Sequence, residues 1–337
     1  MTQVNLAILG AGRWGTHLLR NFLALPDVTV KAVVEPDPTQ GDRIQQQFTL
    51  TETQLLGNWQ AALALPDLQA VVIATPAQTH YPLVKAALEQ RLHVLVEKPL
   101  TLEPETSLKL CQLAQQQGVQ LVVDHTYLFH PVVAQGQALL AQSELGPLRY
   151  GYATRTHLGP VRQDVDALWD LAIHDLAIFN DWLGETPCQV SAQGQTWLQT
   201  AAGLADRVWV QLAYPSGFQA SLHLCWANPD KQRRLCIVGD RGTLIFDEMQ
   251  SEAPLKVQRG YFETAAGRYW PQGVQPESLP AIAAEPLRQV CQHFIDCVVQ
   301  NQPSAQSSGW VGAALVQQLA CISASLHQSG QVVAVPQ

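Results

Sequence analysis

A lysine between an acid and a proline follows an apolar run, and this segment could hold a charge in place for chemistry. The run is Val94-Leu95-Val96, and it leads into Glu97-Lys98-Pro99. Continuous apolar runs are typical of parallel strands that carry helices on both faces. Ligands of such sheets bind beyond the carboxyl ends of the strands, and a proline restricts the residue before it. The segment therefore predicts that Glu97 and Lys98 lie at a binding edge; a solvated Glu-Lys pair is the alternative.

A second set of polar residues lies inside a strongly apolar segment, residues 167–183. Asp170 and His174 are four residues apart, which places them on one face of a helix, and Asp175 adjoins them. Charged groups in a buried helix are unfavourable unless they are paired or used in chemistry. The pattern fits a catalytic pair or a satisfied structural pair. A metal site is disfavoured, because no further Cys/His spacing supplies the missing ligands, and we predict none.

A glycine-rich motif, Gly10-Ala11-Gly12-Arg13-Trp14-Gly15, follows an apolar strand and precedes a helix from about residue 13 to 25. In this context the first glycine makes the turn, the second lets the backbone approach a pyrophosphate, and the third packs helix on strand. The helix N-terminus supplies amide donors for the phosphates. We therefore predict that Gly10, Gly12, Arg13, Trp14 and Gly15 bind a dinucleotide.

An acid, Glu35, ends the second predicted strand twenty residues after Gly15. An acid at this position accepts hydrogen bonds from the adenosine ribose and repels a 2′-phosphate. No Arg or Lys follows until Arg43. The sequence therefore favours NAD as the cofactor over NADP.

The first 123 residues continue to alternate between strands and helices, which predicts an α/β Rossmann domain with a doubly wound parallel sheet. Thr75, Pro76 and His125 follow predicted strand ends, as Glu97 and Lys98 do, so all are expected at the cofactor edge. The further predicted strands are 70–74, 92–96 and 120–123, and the further predicted helices are 59–65, 79–90 and 104–117.

Residues 124–337 follow a different pattern and are predicted to form a substrate and oligomerisation domain of α+β type. Short strands separated by turns at hairpin spacing predict an open, mostly antiparallel sheet. Residues 253–284 are rich in Pro and Gly and low in pattern, so a long loop is expected. Two terminal helices, 285–301 and 309–327, could pack back on the first domain. The predicted strands are 149–158, 189–198, 206–214, 217–226, 234–238 and 243–246.

The composition excludes several classes of protein. The chain has 337 residues and a formal net charge of -8, which argues against nucleic-acid and anionic-membrane partners. The seven cysteines are odd in number, scattered and without a Cys-x-x-Cys, which fits a reducing cytosol. No apolar run reaches 18 residues, and no signal pattern follows Met1. We therefore expect a cytoplasmic protein.

The glycine-rich motif, Ala74-Thr75-Pro76-x-x-x-His80, Glu97-Lys98-Pro99 and Asp170-x-x-x-His174-Asp175 together resemble the Gfo/Idh/MocA oxidoreductases. The resemblance covers nearly the whole chain. It implies an NAD(P)-dependent dehydrogenase acting on sugars, cyclitols or their nucleotide-linked forms, with His80 at the cofactor site and His174 facing the nicotinamide. It also implies a cis Lys98–Pro99 bond and a homodimer or homotetramer formed through the C-terminal sheet.

Two further segments resemble a subgroup associated with UDP-sugar oxidation. They are residues 168–176 and Trp226-x-x-Pro229-x-Lys231-x-Arg233. Arg155, Arg162 and Lys231 could then contact the diphosphate, as could Arg233 or Arg234, whereas solvated surface positions are the alternative for these residues. Where family members often have an arginine that contacts substrate, this chain has Leu128, and His125 is the expected contact instead. Free sugars and inositol-type cyclitols are the alternative substrates, and a non-catalytic dinucleotide sensor is the alternative of another class.

The reaction implied by this resemblance needs a base for the hydroxyl proton while hydride leaves the same carbon. His174 has an ordinary pKa near 6.5 and suits that task, whereas Lys98 starts near 10.4 and would need burial or a neighbouring cation. We expect His174 to be the acid/base, oriented by Asp170, and Lys98 to stabilise charge on the reacting oxygen. The sequence leaves open which of the two takes the proton.

Overall fold

The computed structural model describes residues 3–50, 52–280 and 284–336. The chain divides into two compact units, one of residues 1–129 with 285–316 and the other of residues 130–284 with 317–337. The first unit is therefore assembled from two separate stretches of chain. The domain boundary at residue 123 stays a prediction.

The first unit is built on a six-stranded parallel sheet. Four of its strands are mostly apolar and buried almost throughout, as expected for a sheet covered on both faces, whereas the strands 28–34 and 54–56 are less buried. The strands are β1 (Val4–Leu9), β2 (Val28–Val34), β3 (Gln54–Leu56), β4 (Ala70–Ile73), β5 (His93–Glu97) and β6 (Leu121–Asp124), and the intervening helices are α1 (Arg13–Leu23), α2 (Pro38–Gln47), α3 (Trp59–Leu63), α4 (His80–Glu89) and α5 (Pro104–Gln117).

The strand order in this sheet is β3-β2-β1-β4-β5-β6, which is the Rossmann order and confirms the predicted doubly wound fold. The order reverses between β1 and β4, where the glycine-rich motif lies, and ligands of such sheets bind at this reversal. Both β5 and β6 run one residue further than predicted, because Glu97 and Asp124 still pair in the ladder. The sheet edge therefore carries two acids as its last strand residues.

The second unit is built on a nine-stranded sheet of order β14-β13-β12-β11-β7-β10-β9-β8-β15. Within this sheet, β7 and β10 are the one parallel pair among the described strands, so the mostly antiparallel prediction is confirmed. Its elements are α6 (Pro131–Ala141), β7 (Leu148–Leu158), α7 (Ile173–Leu183), β8 (Gln189–Gln195), β9 (Arg207–Ala213), β10 (Gln219–Cys225), β11 (Ala227–Gly239), β12 (Gly242–Asp247), β13 (Leu255–Ala265), β14 (Arg268–Leu279) and β15 (Val333–Ala334).

The loop predicted over residues 253–284 is wrong for most of its length. β13 and β14 form an antiparallel hairpin there, closed by Ala266 and Gly267, which both have positive φ as a two-residue hairpin turn requires. The outer part of the hairpin is exposed on both faces, so its sequence shows no alternation of apolar and polar residues. Residues 281–283 of the predicted loop lie outside the described residues.

Two terminal helices complete the fold, α8 (Pro286–Gln300) in the first unit and α9 (Gly309–His327), which begins in the first and ends in the second. By length and composition α9 is, among the described residues, the one helix that could cross a membrane, and 56% of it is buried. A Cβ on Gly312 would meet Val123 at 2.7 Å, so this helix lies directly against β6. Such close packing is typical of a core helix.

Candidate active site

The glycine-rich motif forms a turn that only glycine can adopt. Gly10 has φ +88°, and a Cβ on Gly15 would lie 2.0 Å from the Gly10 carbonyl oxygen. Gly12, by contrast, has no atom within 4 Å of the place where its Cβ would be. The first and third glycines are therefore needed for folding, and the second leaves an open approach to the backbone, as a pyrophosphate requires.

The N-terminus of α1 is available to an anionic ligand. Gly12 is its N-cap and makes no side-chain capping bond, and Arg13 and Trp14 on the first turn are exposed. The first amides of a helix have no intrahelical acceptor, so they can donate to phosphate oxygens. The donor set and the open space at Gly12 together fit a dinucleotide.

Glu35 lies just beyond β2, and its carboxylate is fixed to the backbone of this turn. One oxygen accepts from the Ala11 amide at 3.1 Å and the other from the Asp37 amide at 3.1 Å. These bonds hold the acid beside the glycine-rich motif, where it can meet the adenosine ribose of a bound dinucleotide. Its contact with the ribose stays a prediction.

His80 is buried between two turns of the chain, and its assignment as a cofactor contact stays a prediction. Its ring is 1% exposed, with Nδ1 2.8 Å from the Pro99 carbonyl oxygen and Nε2 2.9 Å from the Thr75 carbonyl oxygen. The ring therefore connects the turn after β4 to the turn after β5, where the Lys98–Pro99 bond is cis, as the resemblance implies. Thr75 is half-buried and Pro76 exposed, so these two residues remain open to a cofactor.

Replacing His80 with alanine is expected to lower the free energy of unfolding by about 2–4 kcal/mol, since the contacts of the ring with the Pro99 and Thr75 carbonyl oxygens are lost and a cavity is left. Urea unfolding of the variant and of His17→Ala, an exposed histidine on α1, measures the difference. A loss below about 1 kcal/mol for His80→Ala would show that the ring does not connect the two turns.

Lys98 is half-buried, whereas Glu97 before it and His125 after β6 have buried side chains. Glu97 is 9% exposed and is the register partner of Asp124 in the sheet, and its predicted cofactor contact stays a prediction. His125 is 2% exposed, and its Nδ1 lies 2.9 Å from the Ser307 hydroxyl. Burial lowers the pKa of His125 to about 3, so the ring is neutral at physiological pH.

The helical segment 168–183 of the second unit carries Asp170 and His174 and is called the signature helix here. It is not α-helical throughout. Leu168–Ala172 is wound as a π-helix, and α7 then begins at Ile173. Short π-helical turns occur frequently at functional sites. Asp170 lies in this turn and His174 in the first turn of α7, both half-buried within an otherwise buried segment. The predicted pair is thus partly open to a ligand.

Two arginines proposed for a diphosphate are engaged with acids. Arg155 is 4% exposed and makes a two-pronged ion pair with Asp175, at 2.8 and 3.1 Å. This charge is buried and paired, and the substrate contact of Arg155 stays a prediction. Arg162 is more open, and binds Asp164 at 2.5 Å and Asp170 at 3.3 Å. The carboxylate of Asp170, in the π-helical turn, is therefore held by the Arg162 guanidinium.

His157 is a candidate that the sequence did not reveal. It lies on β7 two residues after Arg155, and the charges of Arg233, Asp170 and Lys231 all act on its pKa, which burial lowers. Alternation along β7 places it on the same face as Arg155, which is the signal that could have identified it.

Lys231 is exposed and makes no ion pair within the described part of the chain. No group of three or more His, Cys, Asp or Glu there is arranged to hold a metal ion.

Two family models match the chain. One, described as an oxidoreductase family with an NAD-binding Rossmann fold, covers residues 4–125, and the other, described as a GFO/IDH/MocA C-terminal domain, covers residues 133–245. Together they span the glycine-rich motif, Lys98 and the signature helix.

Curated relatives and solved structures agree with these matches. The chain is 33% identical over 240 residues to UDP-N-acetylglucosamine 3-dehydrogenase of Acidithiobacillus ferrooxidans, covering 71% of this chain and 73% of that protein. It is 26% identical over 260 residues to scyllo-inositol 2-dehydrogenase (NAD(+)) of Bacillus subtilis, covering 74% and 75%. The solved structure of the A. ferrooxidans enzyme has a TM-score of 0.83 at 22% identity, covering 98% of this chain and 99% of that one, which shows the shared fold.

Proposed function

Since this chain belongs to the Gfo/Idh/MocA family of NAD-dependent oxidoreductases, we propose that it oxidises a ring hydroxyl of a UDP-sugar. The first unit is an NAD-binding Rossmann domain. The observation that carries the enzymatic assignment is that Lys98 follows β5 at the carboxyl edge of this sheet. The relative identified as a UDP-N-acetylglucosamine 3-dehydrogenase supports the substrate class.

In the proposed mechanism, Lys98 and His174 act on the same substrate oxygen. When bound, the oxidised nicotinamide accepts the hydride from the carbon. His174 takes the hydroxyl proton, which is the role that an imidazole performs near neutral pH. Lys98 donates a hydrogen bond to the oxygen and stabilises its developing negative charge. Asp170, anchored by Arg162, orients His174 from the preceding helical turn.

Three cationic or polar groups of the second unit support a phosphorylated substrate. Lys231 is exposed, and its charge acts on His157, which has a buried Nδ1 without a hydrogen-bond partner in the described structure. Arg162 has 30% of its side chain exposed beside Asp170. We propose that Lys231 and Arg162 contact the diphosphate, because a cationic group is attracted to phosphate oxygens.

The test is nicotinamide absorbance while UDP-sugars, free hexoses and inositols are each added to the protein with NAD. We expect reduction of NAD by a UDP-sugar and a rise in its KM of about tenfold in Lys231→Met, as expected for one lost charged hydrogen bond. Lys256→Met, a half-buried lysine on β13, is the matched control and should leave KM unchanged.

Turnover of an inositol or free sugar alone would contradict the UDP-sugar proposal and favour the alternative that the B. subtilis relative represents. Tight NADH binding with no turnover across the panel would favour the non-catalytic sensor.

Replacing Glu35 with glutamine is expected to raise KM for NAD by about ten- to a hundredfold, because a charge-assisted hydrogen bond to the ribose is weakened. The repulsion of a 2′-phosphate is also lost, so the NADP/NAD ratio of kcat/KM should rise. Asp37→Asn is the matched control, since it removes an acid two residues away and leaves the bond to Ala11 intact. An unchanged cofactor ratio in Glu35→Gln would contradict the assignment.

We also propose that the chain forms a homodimer or homotetramer through the second sheet and resides in the cytoplasm. The outer face of that sheet exposes Tyr150 and Trp209, and Trp209 stacks on His223 with ring centroids 4.0 Å apart. Exposed aromatic residues are enriched in protein interfaces. Light scattering tests the assembly, since a measured mass of 37.0 kDa would indicate a monomer.

The cysteines support the proposed cytoplasmic location. All seven are free thiols, which fits a reducing compartment.

A further inference from the structure

Two acidic side chains meet at the carboxyl ends of adjacent strands, beside Lys98. Glu97 and Asp124 are the last residues of β5 and β6 and are partners in the register of the parallel sheet. Register partners in neighbouring parallel strands point to the same face, with the strands about 4.8 Å apart. Glu97 is 9% and Asp124 1% exposed. Two carboxyl groups are therefore held side by side away from water.

The hydrogen bonds of this pair require a proton. Asp124 Oδ1 accepts from the Thr126 hydroxyl at 2.7 Å, but Asp124 Oδ2 and Glu97 Oε1 are buried and have no partner in the described structure. Two ionised carboxylates can only accept hydrogen bonds, whereas a protonated carboxyl group can donate one. A single proton between the two groups lets one donate to the other, so the pair needs it.

Among the described residues, Lys98 is the cation whose charge acts on both Glu97 and Asp124. His125, the next residue after Asp124, is neutral, because burial lowers its pKa to about 3. Cys291 of α8 is a neutral thiol, because burial and the nearby acids raise its pKa, which Arg20 lowers only slightly. One shared proton leaves the pair with one negative charge against one positive charge.

The pKa shifts agree with this count. Burial and the neighbouring Asp124 charge raise the pKa of Glu97 well above its usual value, and burial raises the pKa of Asp124 to about 6. Both shifts favour a proton that is retained on the pair. Burial disfavours a second negative charge at this site.

We propose that Glu97 and Asp124 are a positioning pair for Lys98, sharing one proton so that their single negative charge keeps the Lys98 ammonium charged and in place. This inference rests on the proposed function for its catalytic consequence. A lysine held as a cation cannot accept the hydroxyl proton. Lys98 is then the hydrogen-bond donor to the reacting oxygen, the proton goes to His174, and the proton of the pair stays where it is.

Amide substitutions test the shared charge. Glu97→Gln and Asp124→Asn each leave one carboxylate, and the new amide N–H can donate to it as the shared proton did, so each should lower kcat by less than about tenfold. The double variant leaves Lys98 without a counter-charge and should lower kcat by more than about a hundredfold, which exceeds the product of the single effects. Glu105→Gln, an acid of α5 with 80% of its side chain exposed, is the control.

Single variants as inactive as Lys98→Met would overturn the proposal, because the two acids would then be needed separately. A double variant with activity close to that of the single variants would overturn it as well.

Infrared spectroscopy tests the proton itself and needs no substrate. The protein at pH 7 should show the absorption of a protonated carboxylic acid, which is lost in Glu97→Gln and in Asp124→Asn and kept in Glu105→Gln. Absence of this band in the unsubstituted protein would overturn the proposal. If the band behaves as expected while no sugar is oxidised, the proposed function fails and the shared proton stands.

The same proton makes stability depend on pH. The folded chain holds a proton on Glu97 that the unfolded chain releases above about pH 4.5, so the contribution of the pair is present below that pH and declines as the pH rises. The double amide variant should therefore lose less stability than the unsubstituted protein between pH 4.5 and pH 8, by urea unfolding at each pH. Parallel profiles would contradict the shared proton.

Discussion

Replacing His174 with asparagine is expected to lower kcat by about 10²- to 10⁴-fold, the usual contribution of a general base. Asparagine keeps a polar group of similar size at the start of α7 but cannot take up a proton. The decline in rate at acidic pH, which protonation of the base produces in the unsubstituted enzyme, should also disappear. Steady-state kinetics from pH 5 to 9 with the sugar identified by the absorbance panel measures both effects.

His157→Asn is the matched control for this substitution. His157 lies on β7, and the charge of Asp170 acts on it, yet the proposed mechanism gives it no proton to carry. Its replacement should change kcat by less than about tenfold and leave the acidic decline in place. If His157→Asn loses that decline and His174→Asn keeps it, the two histidines have been assigned in reverse.

Replacing Lys98 with methionine is expected to lower kcat by about 10²- to 10³-fold, the loss seen when one donor to a developing oxyanion is removed. Methionine keeps the length of the side chain and removes the charge. NADH affinity, measured by fluorescence titration, should change by no more than about threefold, because we propose that the α1 N-terminus and Glu35 bind the phosphates and the ribose. The expected signature is a loss in kcat without a matching loss in cofactor binding.

Lys109→Met on α5, which removes an exposed lysine paired with Glu105, is the control for the loss of a positive charge and should leave kcat unchanged.

Combining Lys98→Met with His174→Asn tests whether the two residues act at one oxygen. Residues that act as a unit lose much less together than the product of their separate losses. Losses that multiply would show that Lys98 and His174 act at independent steps.

Much of the first unit could be predicted because its signals are local. Buried parallel strands are apolar runs, and the motif Gly10 to Gly15 requires a turn that other residues cannot make. α2 was missed, since Ile44 is the only large apolar residue buried along it, and its start depends on Asp37 capping the Thr39 amide. A helix with so few apolar residues shows no periodicity.

The roles of the candidate site residues stay predictions, and their contacts within the protein could not be read from the sequence. The sequence indicated Glu97 as a ligand contact, whereas the register of β5 and β6 places it against Asp124. Arg155 was predicted to contact a diphosphate, with a solvated surface position as the alternative, and it pairs with Asp175, an acid twenty residues away on another element. Such pairings are set by tertiary structure, and nothing in the spacing of the residues distinguishes a buried arginine from an exposed one.

The discontinuity of the first unit affects how the protein is made by the ribosome. Phe22 on α1 packs edge to face against Phe294 on α8, and β6 is covered by α9, so this unit needs residues up to 316. Residues 130–316 emerge only after the first 129, and at 5–20 residues per second this takes roughly 10 to 40 s. During that interval the apolar surface that α8 and α9 later cover stays exposed on the nascent chain. We therefore expect chains that terminate early to be recognised by chaperones or to aggregate, rather than to bind NAD as a free-standing domain.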